Sequence, residues 1–150
     1  MALPFRRNAM SETVAAPQTA ATTAPSARFG FVKFVVGDLE AMRGFYERAF
    51  GLTVSQTIDQ PDFMELILRR PGEETGFSLI LFWYRNGPPI TAGTAHGPLG
   101  LFVRDVDAAY AQAVREGARA HREPYDAGAM RVGFVLDPEG RELELISMKR

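Results

Sequence analysis

Asp38-Leu39-Glu40-Ala41 and Asp105-Val106-Asp107-Ala108 are two copies of one device. Each follows a short apolar run and opens a stretch of helical apolar spacing that a glycine ends. An internal repeat of this kind makes each half one supersecondary unit that must bury its apolar face against something else. In the first copy Phe31 to Val36 is the apolar run, broken only by Lys33. Asp38 is placed to cap a helix, with Glu40 favourable in its first turn. Met42, Phe45, Tyr46, Ala49 and Phe50 keep helical spacing until Gly51. Strands are predicted at Thr53 to Ile58, Phe63 to Arg69 and Phe77 to Tyr84, with turns at Gln60-Pro61-Asp62 and Pro71-Gly72.

After a Gly/Pro/Thr-rich connector the pattern restarts. Leu99 to Val103 reads as a strand and Asp105 as a second cap. Val106 to Glu116 reads as a helix with Ala109, Tyr110, Ala113 and Val114 inward, ended by Gly117. Strands follow at Arg119 to Glu123, Met130 to Leu136 and Arg141 to Met148, the last two joined by Asp137-Pro138-Glu139-Gly140. The expected fold is α+β, with strand-helix-strand-strand-strand occurring twice. The first module covers about 29–85, the connector 86–96 and the second module about 97–148, within one domain over 29–150.

Strand alternation assigns the sheet faces. Val32, Phe34 and Val36, then Leu79, Leu81 and Trp83, then Leu99, Leu101 and Val103, then Leu143 and Leu145, are uniformly apolar and should lie under the helices. The opposite sets are mixed: Phe31, Lys33 and Val35; Ser78, Ile80 and Phe82; Pro98, Gly100 and Phe102; Glu142, Glu144 and Ile146. With a helix on one face only, each mixed face either lines a cavity or needs a cover. Lys33 and Glu144 are the ionisable residues expected to point into that cavity.

Composition excludes several functions. A formal net charge of −1 gives no electrostatic case for nucleic acid or an anionic membrane surface. The absence of cysteine rules out disulfides, thiolate metal sites and a cysteine nucleophile, and it fits a cytoplasmic protein. No apolar run is long enough to span a bilayer. Residues 1–28 are rich in Ala, Thr, Ser and Pro without apolar periodicity, and are expected to be a disordered tail. Met10 is an alternative start.

Val36-Gly37-Asp38-Leu39 leading to Phe45-Tyr46 and Phe50-Gly51-Leu52 resembles the vicinal-oxygen-chelate superfamily of glyoxalase I, bleomycin-resistance proteins, extradiol dioxygenases and methylmalonyl-CoA epimerase. So do Phe102-Val103-Arg104-Asp105-Val106-Asp107-Ala108, and Phe134-Val135-Leu136-Asp137-Pro138-Glu139-Gly140 with Glu142-Leu143-Glu144-Leu145. The resemblance spans about Phe29 to Met148. It implies paired βαβββ modules (glyoxalase/bleomycin-resistance-like) whose curved mixed sheets form a cleft, and a homodimer that pairs modules between chains. Metal-using members place His or Glu on the first and last strand of each module. Carried over, those positions are Phe31, Ile80, Pro98 and Glu144. Only Glu144 is a donor, and one carboxylate does not hold a divalent ion. The expectation is therefore no metal and no other cofactor. A shifted site that joins His96 with Glu144 and Glu65 or His121 is the alternative that would restore a glyoxalase- or dioxygenase-like metalloenzyme.

The function expected first is a bleomycin-resistance-like small-molecule-binding protein. Its ligand-binding residues would be Phe31, Lys33, Ile80, Phe82, Pro98, Phe102 and Glu144, in an apolar and aromatic cleft suited to a flat ligand. The second is a metal-independent isomerase, epimerase or lyase with Glu144 as base and Lys33 stabilising an enolate oxygen. The third is an interaction protein with a filled cleft. In the enzyme's disfavour, Lys33 and Glu144 would form a salt bridge, or Lys33 would reach to the rim.

Overall fold

The computed structural model describes residues 27–149; the expected tail lies almost wholly outside them. Two four-stranded sheets form, each with its own helix. The first is built from β1 (Phe31–Val35), β2 (Thr53–Asp59), β3 (Phe63–Arg69) and β4 (Ser78–Tyr84), in the order β1-β4-β3-β2, with α1 spanning Leu39–Phe50. The second is built from β5 (Leu99–Phe102), β6 (Arg119–Ala127), β7 (Met130–Leu136) and β8 (Glu142–Met148), in the order β5-β8-β7-β6, with α2 spanning Val106–Arg115. In each module the first strand runs parallel to the last and the remaining pairs are antiparallel.

Both helices start as their sequences require. Asp38 and Asp105 have extended backbones and accept from the N–H of Ala41 and Ala108, satisfying one orphan donor each. Gly51 closes α1 in the left-handed conformation at φ 67°, sending its N–H back to Glu47 and Tyr46. The faces follow the alternation. Val36, Leu79, Leu81 and Leu143 join Met42, Phe45, Tyr46, Ala49 and Ala113 in one shared core that spans both modules. Val114 departs from expectation: it is 38% exposed because the inward stripe of α2 narrows to Val106 and Ala113.

The two outer strands are irregular. The β2 ladder shifts register between Val54 and Gln56. The β6 ladder shifts between Ala120 and Arg122 and again before Tyr125. Those shifts carry the strand past Pro124 to Ala127, beyond its expected end at Glu123. Proline cannot donate to a ladder, and a bulge on an edge strand accommodates it.

The turn Asp137-Pro138-Glu139-Gly140 joins the modules as well as β7 and β8. Asp137 is fully buried and accepts from Tyr46 Oη at 2.9 Å, Arg141 Nη1 at 3.2 Å, and the backbone N–H of Glu139 and Arg141. Glu139 Oε1 accepts from the N–H of Gly37 at 2.7 Å and of Asp38 at 3.0 Å, at the start of α1. Its Oε2 lies 2.8 Å from Arg141 Nη2, an ion pair set at an angle unsuited to a hydrogen bond. Arg141 also donates to the carbonyl of Val35 in β1.

Candidate functional site

The concave face of the first sheet carries a cleft of about 500 Å³. Its floor is Phe31 and Lys33 from β1, Ser78 and Ile80 from β4, and Glu65, Ile67 and Arg69 from β3. Period-two alternation on three neighbouring strands puts all of these on one side. Arg28 and Glu74 also line it.

Phe82 stacks on Phe63 with centroids 4.9 Å apart and meets Tyr84 edge-on at 4.6 Å. Lys33 Nζ stands 5.0 Å from the centre of the Phe82 ring and 6.0 Å from that of Phe31. Ring faces attract an ammonium at these distances. The ammonium's partner is Glu65, buried at 7% exposure, across β4 from Lys33. The expected Lys33–Glu144 bridge is not formed. The signal for Glu65 was present in the sequence, as the one acid within an apolar strand and in phase with Ile67 and Arg69.

The other expected residues are distributed over the chain. Ile80 and Phe82 are buried, at 6% and 9% exposure, and pack within the face. Phe31 stands out at 59%. Pro98 borders a different cavity of about 490 Å³, between β1, the connector and β5, which Lys33 also lines. Phe102 projects from β5 at 83% exposure. Glu144 is half-buried on β8 between Gly100 and Phe134. One chain therefore gathers Phe31, Lys33, Ile80 and, beside them, Phe82; Phe102 and Glu144 belong to the second sheet.

The shifted metal site does not assemble. The ring nitrogens of His96 face the carbonyls of Ala92 at 2.9 Å and Gly97 at 3.1 Å. His121 sits 3.7 Å from Glu142, and Glu65 is engaged by Lys33.

The sequence profile described as the Glyoxalase/Bleomycin resistance protein/Dioxygenase superfamily matches residues 28–145. A lactoylglutathione lyase of Escherichia coli O157:H7 is 31% identical over 118 residues, which are 76% of this chain and 87% of that protein. The trypanothione-dependent glyoxalase I of Leishmania major superposes with a TM-score of 0.71 at 26% identity, covering 81% of this chain and 87% of that one. Glyoxalase I from Zea mays gives 0.73 at 25% identity; this chain covers 45% of its length.

These relatives correct the expectation that no divalent metal takes part, since glyoxalase I enzymes depend on nickel or zinc. The side chains of this chain nevertheless do not fit such an ion. Phe31, Ile80 and Pro98 offer no donor atom, and among the described residues no three His, Cys, Asp or Glu lie together as a ligand group.

Proposed function

Because this chain belongs to the Glyoxalase/Bleomycin resistance protein/Dioxygenase superfamily, we propose that it binds a small, flat, partly apolar molecule on the concave face of its first sheet. In this reading it acts as a homodimer, and the second sheet of the partner closes each cleft. The observation that supports this is the state of the two concave faces. Both helices are committed to the opposite side, and Phe31, Phe102 and Met148 are left 59%, 83% and 61% exposed. Apolar surface of this kind, with Lys33 set into it, marks a ligand or partner site. A two-fold dimer yields two equivalent clefts, each with Phe31, Lys33, Ile80 and Phe82 from one chain and Pro98, Phe102 and Glu144 from the other. This is the bleomycin-resistance mode, binding without turnover.

Sedimentation equilibrium tests the assembly. Wild-type protein is expected to be dimeric at micromolar concentration, and Phe102→Asp monomeric with an unchanged circular dichroism spectrum. A wild-type monomer that keeps its stability on dilution would end this reading. Naphthalene-sized aromatic ligands should raise the melting temperature, and an unmoved melting temperature counts against the cleft.

A second reading is a lyase or isomerase acting on an acidic C–H beside a carbonyl. It is favoured by the 31% identity to lactoylglutathione lyase and by the retained Glu144. Glu144 would take the proton and Lys33 would face the oxygen that gains charge. Formation or breakdown of lactoylglutathione is the assay. Loss of a general base removes about 10²–10⁴-fold of rate. If Glu144→Gln retained wild-type turnover, the assignment would fall.

A further inference from the structure

The charges around the first-sheet cleft are unequal. Arg28, Lys33 and Arg69 line it on the positive side, Glu65 and Glu74 on the negative side. Lys33 and Glu65 neutralise each other in an ion pair. The cation expected from sequence to meet a ligand anion is therefore already engaged. Arg69 is not. Its Nη1 donates to the hydroxyl of Ser55 at 3.0 Å, a neutral partner. Its Nε–H is buried with no acceptor. Among the described residues no carboxylate is in ion-pair reach of it.

A guanidinium in a half-buried place without a carboxylate beside it is balanced best by an anion. The guanidinium fork suits a carboxylate, which it holds through two parallel N–H bonds. The apolar part of the cleft is Phe31, Ile58, Ile67 and Ile80. About 500 Å³ accommodates one bicyclic body.

The geometry points to Arg69 as the anion-recognising residue of this cleft, and to a compact aromatic or apolar monocarboxylate as its ligand class. The assignment rests on the concave-face reading above and deepens it. Lys33 and Glu65 then form a fixed polar floor, and specificity for charge comes from the end of β3.

The full-length chain, labelled at the isoleucine δ-methyls, is titrated with 2-naphthoate and with its neutral counterpart 2-naphthamide. Both should shift the methyl signals of Ile58, Ile67 and Ile80. The acid should bind about tenfold more tightly or better, with a preference that shrinks as salt is added. Arg69→Gln should bring the two affinities together. Arg69→Lys should keep part of the preference, and Arg104→Gln, on an exposed bend, should keep all of it. If the two probes bind wild type equally at those methyls, or if Arg69→Gln leaves the preference intact, the assignment to Arg69 is overturned while the cleft stands. If neither probe moves those methyls, the concave-face reading falls with it.

Discussion

Removal of the Tyr46 hydroxyl and removal of the Asp137 charge should differ in cost by about a factor of two, for reasons visible in the buried turn. Tyr46→Phe deletes one hydrogen bond, 2.9 Å long, to a buried charged acceptor. Asp137 keeps its bonds from Arg141 Nη1 and two backbone N–H groups. Hydrogen bonds to charged groups contribute about 1.5–3 kcal/mol, and retention of the others argues for the low end, about 1.5–2 kcal/mol. Asp137→Asn is isosteric but worse. Its amide turns an N–H₂ either toward the two backbone donors or toward Arg141 and Tyr46, and it leaves that buried guanidinium with Glu139 as its one carboxylate partner. Breaking a buried ion pair from one side costs about 3–5 kcal/mol. The double variant should cost less than the sum, because the hydrogen bond removed by the first change is made to the carboxylate altered by the second. Urea unfolding followed by circular dichroism measures all three, with m unchanged if the native state keeps its compactness. Equal losses for the two single variants, or strict additivity in the double, would refute the claim that this turn is a charge-centred joint.

Three further outcomes follow from the same geometry. Burial, and after it the Asp137 charge, holds the Tyr46 hydroxyl well above its ordinary value of 10.0. The native state thus keeps a proton that the unfolded state releases, so stability is full below pH 10 and falls as pH rises beyond it; the difference between wild type and Tyr46→Phe should shrink there, as read by alkaline urea unfolding. His96 faces two carbonyl oxygens, those of Gly97 and Ala92, and an imidazolium satisfies both, so its titration by NMR should lie above the usual 6.5. Gly133→Ala would push a Cβ to 3.3 Å from Pro124 and Val106 and should destabilise by roughly 1–3 kcal/mol in thermal melts.

The architecture was legible because its signals are local. Asp38 and Asp105 act within three residues of themselves, and the alternation of Val32/Phe34 against Phe31/Lys33 needs only the pleat. β6 runs on to Ala127, past the end at Glu123 that the sequence suggests, because the bulges opposite β7 carry the ladder beyond Pro124. The site was less legible. Lys33 and Glu65 are 32 residues apart and lie on strands separated by β4, so their pairing depends on sheet order. Arg69 looked like an ordinary strand end, and its lack of an acceptor is a property of the folded neighbourhood. The metal expectation failed for a different reason. It rests on the side chains at Phe31, Ile80 and Pro98 alone, whereas kinship with the lactoylglutathione lyases extends over 118 residues.

The bulged rims have a consequence for assembly. In both sheets the shifted strand, β2 or β6, lies at one end, while the short and regular β1 and β5 lie at the other. A kinked border is a poor template for another chain, and a regular one is a good template. The shifted rim of each sheet therefore resists the edge-to-edge pairing that leads to aggregation, and the regular rim is kept short, at five residues in β1 and four in β5.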